Sequence, residues 1–583
     1  MSSAAVQLAK APTPSRARGF DLRGAFIVAA ALFAASSAWH WSHVQRDIRT
    51  SETIVAEYLL VAGISVLVLS LLNRFGAAFP TIRVRSWILD GPAVVALAAS
   101  IWLLGMRQFG GYDHSVMIEA GWLQLSSLVP FRDYPCTLPP LFLLGDRYAF
   151  LLFGVRWSSF VIFMACFAVL SFLFLNAQFR ILGFPSPLAA ALSIACELAT
   201  TVVCSFWWHN PMTSLVGAMV FISALVCLAH PSKMRSWLLL LASLTCLTLS
   251  KPNAWPIGLC VVFLLVSRNA TQRWRALATL LLAAASAAMI CSLHGLNPVA
   301  VLQTYARIAE TRGNPFRMVG LTDLNSVEWT IWSDSIAIAV LLFFCVLVRA
   351  RKEWREHWRE YACCVVTAIT SVAMASMNYE LKTSDLTPFL VALAVMAFRP
   401  WSRRRYDGLG YGVVVTLLVF LATLSVYWGI TRLRVRGIGE GRFFENVQTQ
   451  EIPGGFFAGL HTGPRFPKVL GQIDKALEKY PSANVFFGPR MEFSYAAFDR
   501  RPPKGLPIWW HPGSSFALSN LPAISHSLET DDFDLMIFLK NDCTRMPIFA
   551  LRHKLQSYDH DVEFSELDVF VRRKGPEMAA ALP

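Results

Sequence analysis

Long apolar runs separated by short basic segments fill residues 24–430. A bilayer core ~30 Å thick takes about 20 apolar residues per helix. On that measure the pattern predicts 13 membrane-spanning helices, over 24–42, 54–73, 87–106, 148–176, 184–206, 211–229, 236–250, 254–267, 276–293, 330–349, 361–377, 386–398 and 409–430. The runs 236–250, 254–267 and 386–398 are short, which predicts tilted or partly re-entrant segments. The first run reads as a span rather than a cleavable leader, because further spans follow at once and no clear small-residue cleavage site ends it. Beyond residue 430 the pattern changes. Helical spacing over 469–479 and strand-like runs at 484–488, 534–540 and 567–572 predict a small α/β domain over 431–583. Residues 1–23 read as a cytoplasmic N-terminal tail whose first 20 residues are flexible, and no internal repeat stands out.

Charge orients the spans. With the N-terminus inside and strict alternation, the inner segments carry Arg74, Arg83 and Arg85, then Arg180, Lys233 and Arg235, then Arg268, Arg273 and Arg275. Further inner clusters are Arg349, Arg351, Lys352, Arg355 and Arg359, and Arg399, Arg403, Arg404 and Arg405. The outer segments before residue 431 carry about half as many, over more residues, as the positive-inside rule requires. The expected fold class is an α-helical polytopic membrane protein of about 13 transmembrane helices, N-terminus cytoplasmic, with a C-terminal extracytoplasmic α/β domain. Composition agrees. The 583-residue chain is 55% hydrophobic and only 15% charged, which excludes a large cytosolic enzyme and a disordered chain. A net charge of +14 would point to nucleic acid in a soluble protein. Concentrated in inner loops, it reports topology instead, and no nucleic-acid partner is expected. Ten of the 12 cysteines lie in or beside apolar runs, where they act as small hydrophobes. Cys136 and Cys543 fall in polar regions, and a disulfide between them stays open. No Cys/His spacing marks a metal site.

The outer loop 107–147 concentrates ionisable and rigid residues. Asp113 follows the Gly110-Gly111 turn, Glu119 comes six residues later, and Asp133 follows Arg132. Pro130, Pro135, Pro139 and Pro140 fix the backbone at φ near −65°. Acids on a stiff loop at a membrane surface suit general-base chemistry on a substrate presented from the lipid. The alternative makes Asp113 a helix cap and the Arg132–Asp133 pair solvated surface.

The order of these motifs resembles the GT-C glycosyltransferase superfamily. Asp113 follows a long helix, Ala120-Gly121-Trp122 comes next, then Pro130-Phe131-Arg132-Asp133-Tyr134, then Pro139-Pro140 before the next span. The likeness is closest to the group of protein O-mannosyltransferases and bacterial aminoarabinose transferases. It covers loop 107–147 in detail and the other spans by topology. The resemblance implies a sugar moved from a polyprenyl-phosphate donor to a glycan, lipid or protein acceptor, at the outer face of a cell's inner (plasma) membrane, with Asp113 as general base. Many relatives carry Asp-Glu at that place. This chain has Asp113-His114, so a role for His114 and binding of a divalent metal stay open, and no other cofactor is implied.

A leaving phosphate develops charge, so cations belong near it. Candidates are Arg132, Lys251, Arg307, Arg312 and Lys382, with Asp133 orienting Arg132 or the loop. Lys251 sits between two apolar spans on the outer side, against the inside bias, and either meets phosphate or snorkels. Glu119 and His209 are further candidates, although His209 in Trp207-Trp208-His209-Asn210-Pro211 reads first as part of an aromatic belt. Tyr305, Arg307 and Arg312 line a pocket or lie on an amphipathic surface helix. Trp509, Trp510 and His511 stack on a sugar or dock the tail onto the membrane core. Asp90 and Glu197 lie inside spans. They keep open a second class, a transporter or flippase of lipid-linked saccharides. A third class is a non-catalytic membrane scaffold.

Overall fold

The computed structural model describes residues 86–312 (except 108, 110, 112, 185, 203, 267 and 268), 354–374, 387–398, 450–540 (except 514) and 548–573. These residues all belong to one compact unit. The runs predicted at 24–42, 54–73, 330–349 and 409–430 lie outside the described residues, as do Lys382 and Cys543.

Helix α1 (Ser86–Gly105) leads to α2 (Asp113–Leu125), α3 (Pro140–Phe153) and α4 (Trp157–Ile181). Next come α5 (Ser186–Glu197), α6 (His209–Ala229), α7 (Met234–Thr248), α8 (Cys260–Leu265), α9 (Ala270–Leu293) and α10 (Pro298–Arg312). Two more helical stretches, α11 over 354–374 and α12 (Thr387–Phe398), complete the helical part. Among the described residues, α4, α6 and α9 are long and apolar enough to cross a membrane. Asp90–Gly105, Ala189–Val202, Met234–Thr248, Pro252–Leu265 and Thr387–Met396 are shorter apolar stretches.

Two apolar runs differ from expectation. The run 148–176 is not one helix. Gly154 takes φ 87°, a conformation open to glycine, and ends α3, with its N–H donating to the Phe150 carbonyl. Helix α4 then restarts at Trp157. The run 254–267 opens as a 3₁₀ segment, Pro252–Leu259, before α8, because Pro252 and Pro256 lack the N–H that an α-helix would use.

Ionisable groups inside the apolar stretches are paired. Asp90 accepts from Arg180 at 2.7 and 2.9 Å and from Asn176 at 2.9 Å. Glu197 accepts from Ser171 at 2.6 Å and Thr201 at 2.8 Å. Both acids therefore find protein partners within the helical core, as a low-dielectric setting demands.

The tail carries a ribbon of β1 (Gln450–Glu451) and β2 (His461–Thr462), and then α13 (Arg465–Lys479). Its sheet contains β3 (Val485–Phe487), β4 (Leu535–Leu539), β5 (Tyr558–Asp561) and β6 (Leu567–Arg572), in the order β3-β4-β6-β5. Strand β3 runs parallel to β4, while β6 is antiparallel to both β4 and β5. Short α14 (Phe493–Ala497), then α15 (Leu521–Thr530) and α16 (Ile548–Leu555), connect the strands. Helix α13 buries Phe466, Val469, Ile473, Ala476 and Leu477 along one stripe. Its other face pairs Arg465 and Lys468 with Glu566, and Lys479 with Asp561.

Tail and helical core share one apolar cluster, with Phe109 at its hub. The Phe109 ring lies 5.3 Å from Trp157, and 4.6, 4.8 and 5.4 Å from Phe457, Phe466 and Phe493 of the tail. Tilted and edge-on aromatic packing of this kind adds to area burial in holding the tail down.

Candidate active site

Asp113 opens the first turn of α2 and is partly exposed, whereas residues 114–121 behind it are all buried. An acid in a helix's first turn is favoured by the helix dipole. The helix is held from two sides. Against α3, a Cβ on Gly121 would come within 2.9 Å of the Asp146 carbonyl, so only glycine permits this approach. Against the tail, Ser115 donates its hydroxyl to Glu492 at 2.8 Å and accepts the Phe493 N–H at 2.8 Å. Ser115 reads in the sequence as one more helical residue, and nothing in the pattern marks it as the bridge.

His114 is buried among Phe206, Trp157 and Phe109, with ring centroids at 4.0, 5.4 and 5.6 Å. Burial lowers its pKa to about 3, so it stands there as a neutral, aromatic-like ring. Glu119, one turn further, is also buried. Burial first, and the nearby Glu492 carboxylate second, push its carboxyl well above the usual range.

The loop after α2 is locked by Asp133. Its side chain is 6% exposed and accepts from the Val129 N–H at 2.8 Å, from Arg132 at 2.7 Å and from the Lys504 ammonium at 3.1 Å. The Gly505 N–H donates to the Asp133 carbonyl at 2.8 Å. Hydrogen bonds from Arg132 and Val129 hold the Asp133 carboxyl below the usual carboxylate range. Phe131 takes φ 65° inside this turn, and the Pro130–Tyr134 bridge closes it. Arg132 is mostly exposed and free to meet an anion with the edges of its guanidinium that Asp133 leaves uncovered.

Opposite α2, Phe206 and Trp208 lie 6.3 Å apart, and the Trp208 and His209 rings are 4.1 Å apart in a tilted arrangement. Lys251 donates to Asn210 at 2.7 Å in the same turn. Trp509 of the tail meets Trp208 edge-on at 5.9 Å and His511 at 5.3 Å. Continuous contacts thus join His114, Phe206, Trp208, His209, Asn210 and Lys251, and bring Trp509 against them. Arg307 is exposed on α10, and Tyr305 lies 6.4 Å from the Trp255 ring. Arg312 ends α10, and its side chain lies outside the described residues. Cys136 is a buried free thiol, its pKa pushed up to about 12 by burial. Among the described residues, no group of three or more His, Cys, Asp or Glu is placed to hold a metal ion.

No family model matches the chain, and no curated protein matches it. Two solved structures of ArnT from Cupriavidus metallidurans are similar to it. The one bound to undecaprenyl phosphate aligns over 83% of this chain and 98% of its own, at 14% identity and a TM-score of 0.49. The apo structure aligns over the same shares at 13% identity and a TM-score of 0.48. At that identity the likeness is one of chain path and transfers no residue's role.

Proposed function

We propose that the chain is an integral membrane glycosyltransferase of GT-C type, moving a sugar from a polyprenyl-phosphate donor to a glycan, lipid or protein acceptor at the outer membrane face. The observation that carries this reading is Asp113, a partly exposed carboxylate on an otherwise buried turn, with its helix fixed by α3 and by the tail. A base so held needs little reorganisation to take the acceptor's proton while the sugar's bond to phosphate breaks. Lys251 and Arg132 are the cations assigned to the leaving phosphate. Asp133 positions Arg132, and Asn210 positions Lys251. Arg307, Arg312 and Lys382 are further candidates for the same substrate. His114 serves as a packing residue, since its ring is neutral and enclosed. His209 orients Trp208 at the site's wall, and Glu119 holds the docking seam rather than the sugar.

Cells lacking the protein should accumulate one polyprenyl-phosphate sugar in lipid extracts, and expression of the wild type should clear it. Unchanged lipid pools would sink the proposal. The pairing of Asp90 with Arg180, and of Glu197 with Ser171 and Thr201, leaves these acids engaged and gives the transporter reading no support.

A further inference from the structure

A second cationic site lies where the β1–β2 ribbon meets the ends of α1 and α4. A cavity of about 400 Å³ is lined there by Arg107, Arg156, His461, Glu451, Trp102 and Leu103. The ribbon is pinned in place, since the His461 N–H donates to the Met106 carbonyl at 2.9 Å. The Trp157 N–H likewise donates to the Phe456 carbonyl at 2.9 Å. Arg156 donates its Nε to the Phe153 carbonyl at 3.2 Å, which aims the rest of its guanidinium.

Charge and position both point to an anion at a lipid boundary. Arg107 stands two residues past the apolar stretch Asp90–Gly105, and Arg156 one residue before the span-length helix Trp157–Ile181. Both therefore mark the depth of lipid headgroups. The acid in the cavity, Glu451, lies 4.0 Å from His461. Among the described residues, neither arginine has a carboxylate within ion-pair distance, so two fixed positive charges face one negative charge. At the lip, Trp102 is 43% exposed and Leu103 59% exposed, an apolar surface that acyl chains would cover.

We propose that this cavity binds the phosphate of an anionic membrane lipid, with Arg107 and Arg156 on the phosphate and Trp102 and Leu103 against the chains. The assignment does not depend on sugar transfer, and none of these residues belongs to the Asp113 site. Its function is to anchor the tail's ribbon to the leaflet surface.

The test uses the full chain in phosphatidylcholine nanodiscs doped with phosphatidylglycerol, with native mass spectrometry of the lipids retained on release. Wild type should keep phosphatidylglycerol in preference to phosphatidylcholine. The double variant Arg107→Ala/Arg156→Ala should retain it with about thirtyfold lower affinity, on the scale of one surface contact per arginine. Added inorganic phosphate should not displace the lipid. Equal retention by the double variant, equal retention of both lipids by wild type, or displacement by inorganic phosphate would each overturn the proposal. If the double variant does not fold, Glu451→Gln gives an independent reading. Retention should rise when this acid is removed, and an unchanged or lower value counts against the site.

Discussion

Asp133 and Glu119, on the loop after α2 and on α2 itself, stand in opposite electrostatic settings. Hydrogen bonds from Arg132, Val129 and Lys504 stabilise the Asp133 carboxylate. An acid with a depressed native pKa adds stability above its unfolded value of about 3.9, and this is lost as pH falls below it. Glu119 is the reverse. Its raised pKa means that the folded state holds a proton that the unfolded state releases above about 4.3, so stability falls as pH rises from there toward the native value. Melting temperature followed against pH should therefore separate two limbs. Asp133→Asn should flatten the acid limb, and Glu119→Gln the limb at higher pH. If both limbs survive both substitutions, these settings are not the cause. The sequence made Asp133 legible as the partner of Arg132, its neighbour. It did not make Lys504 legible, because a contact between distant parts of the chain leaves no local pattern.

Helix spacing in the sequence marks which residues face a core, but not how closely two helices approach. Helices α2 and α3 come together over Gly121, and α3 meets Trp207 over Gly145. A Cβ on Gly145 would land inside the Trp207 indole, whose Nε1 donates to the Phe142 carbonyl at 3.3 Å. Gly145→Ala should thus cost about 1–3 kcal/mol through overpacking, read as a lower thermal midpoint in detergent. An unchanged midpoint would mean that α3 moves freely, contrary to the packing described. The break between α3 and α4 was hidden for a related reason. Leu151 and Leu152 before it are exposed, and hydropathy alone cannot tell a lipid-facing helix end from the interior of a span.

On the largest scale, the tail holds α2 through the bonds of Ser115 with Glu492 and Phe493. Helix α13 was readable from its apolar stripe, and β3, β4 and β6 from short apolar runs. Strand β5 was not, because its polar run Tyr558–Asp561 carries no apolar alternation, and it pairs on one side only. Nor could any local pattern place β6 between β4 and β5. The seam itself converges on Phe109, fully buried among tail and core rings. Phe109→Ala should cost about 3–5 kcal/mol, and hydrogen exchange should rise in both α13 and α14. Faster exchange in α13 alone would mean that the seam is not cooperative.

We propose that Asp113 takes the acceptor's proton. This role is tested most directly by comparing wild type with Asp113→Asn for transfer from a polyprenyl-phosphate sugar in matched membranes, with equal protein levels and equal thermal midpoints. A loss of about 10²–10⁴-fold in rate is expected, the usual contribution of a positioned base. Transfer by the Asn variant at the wild-type rate would contradict it.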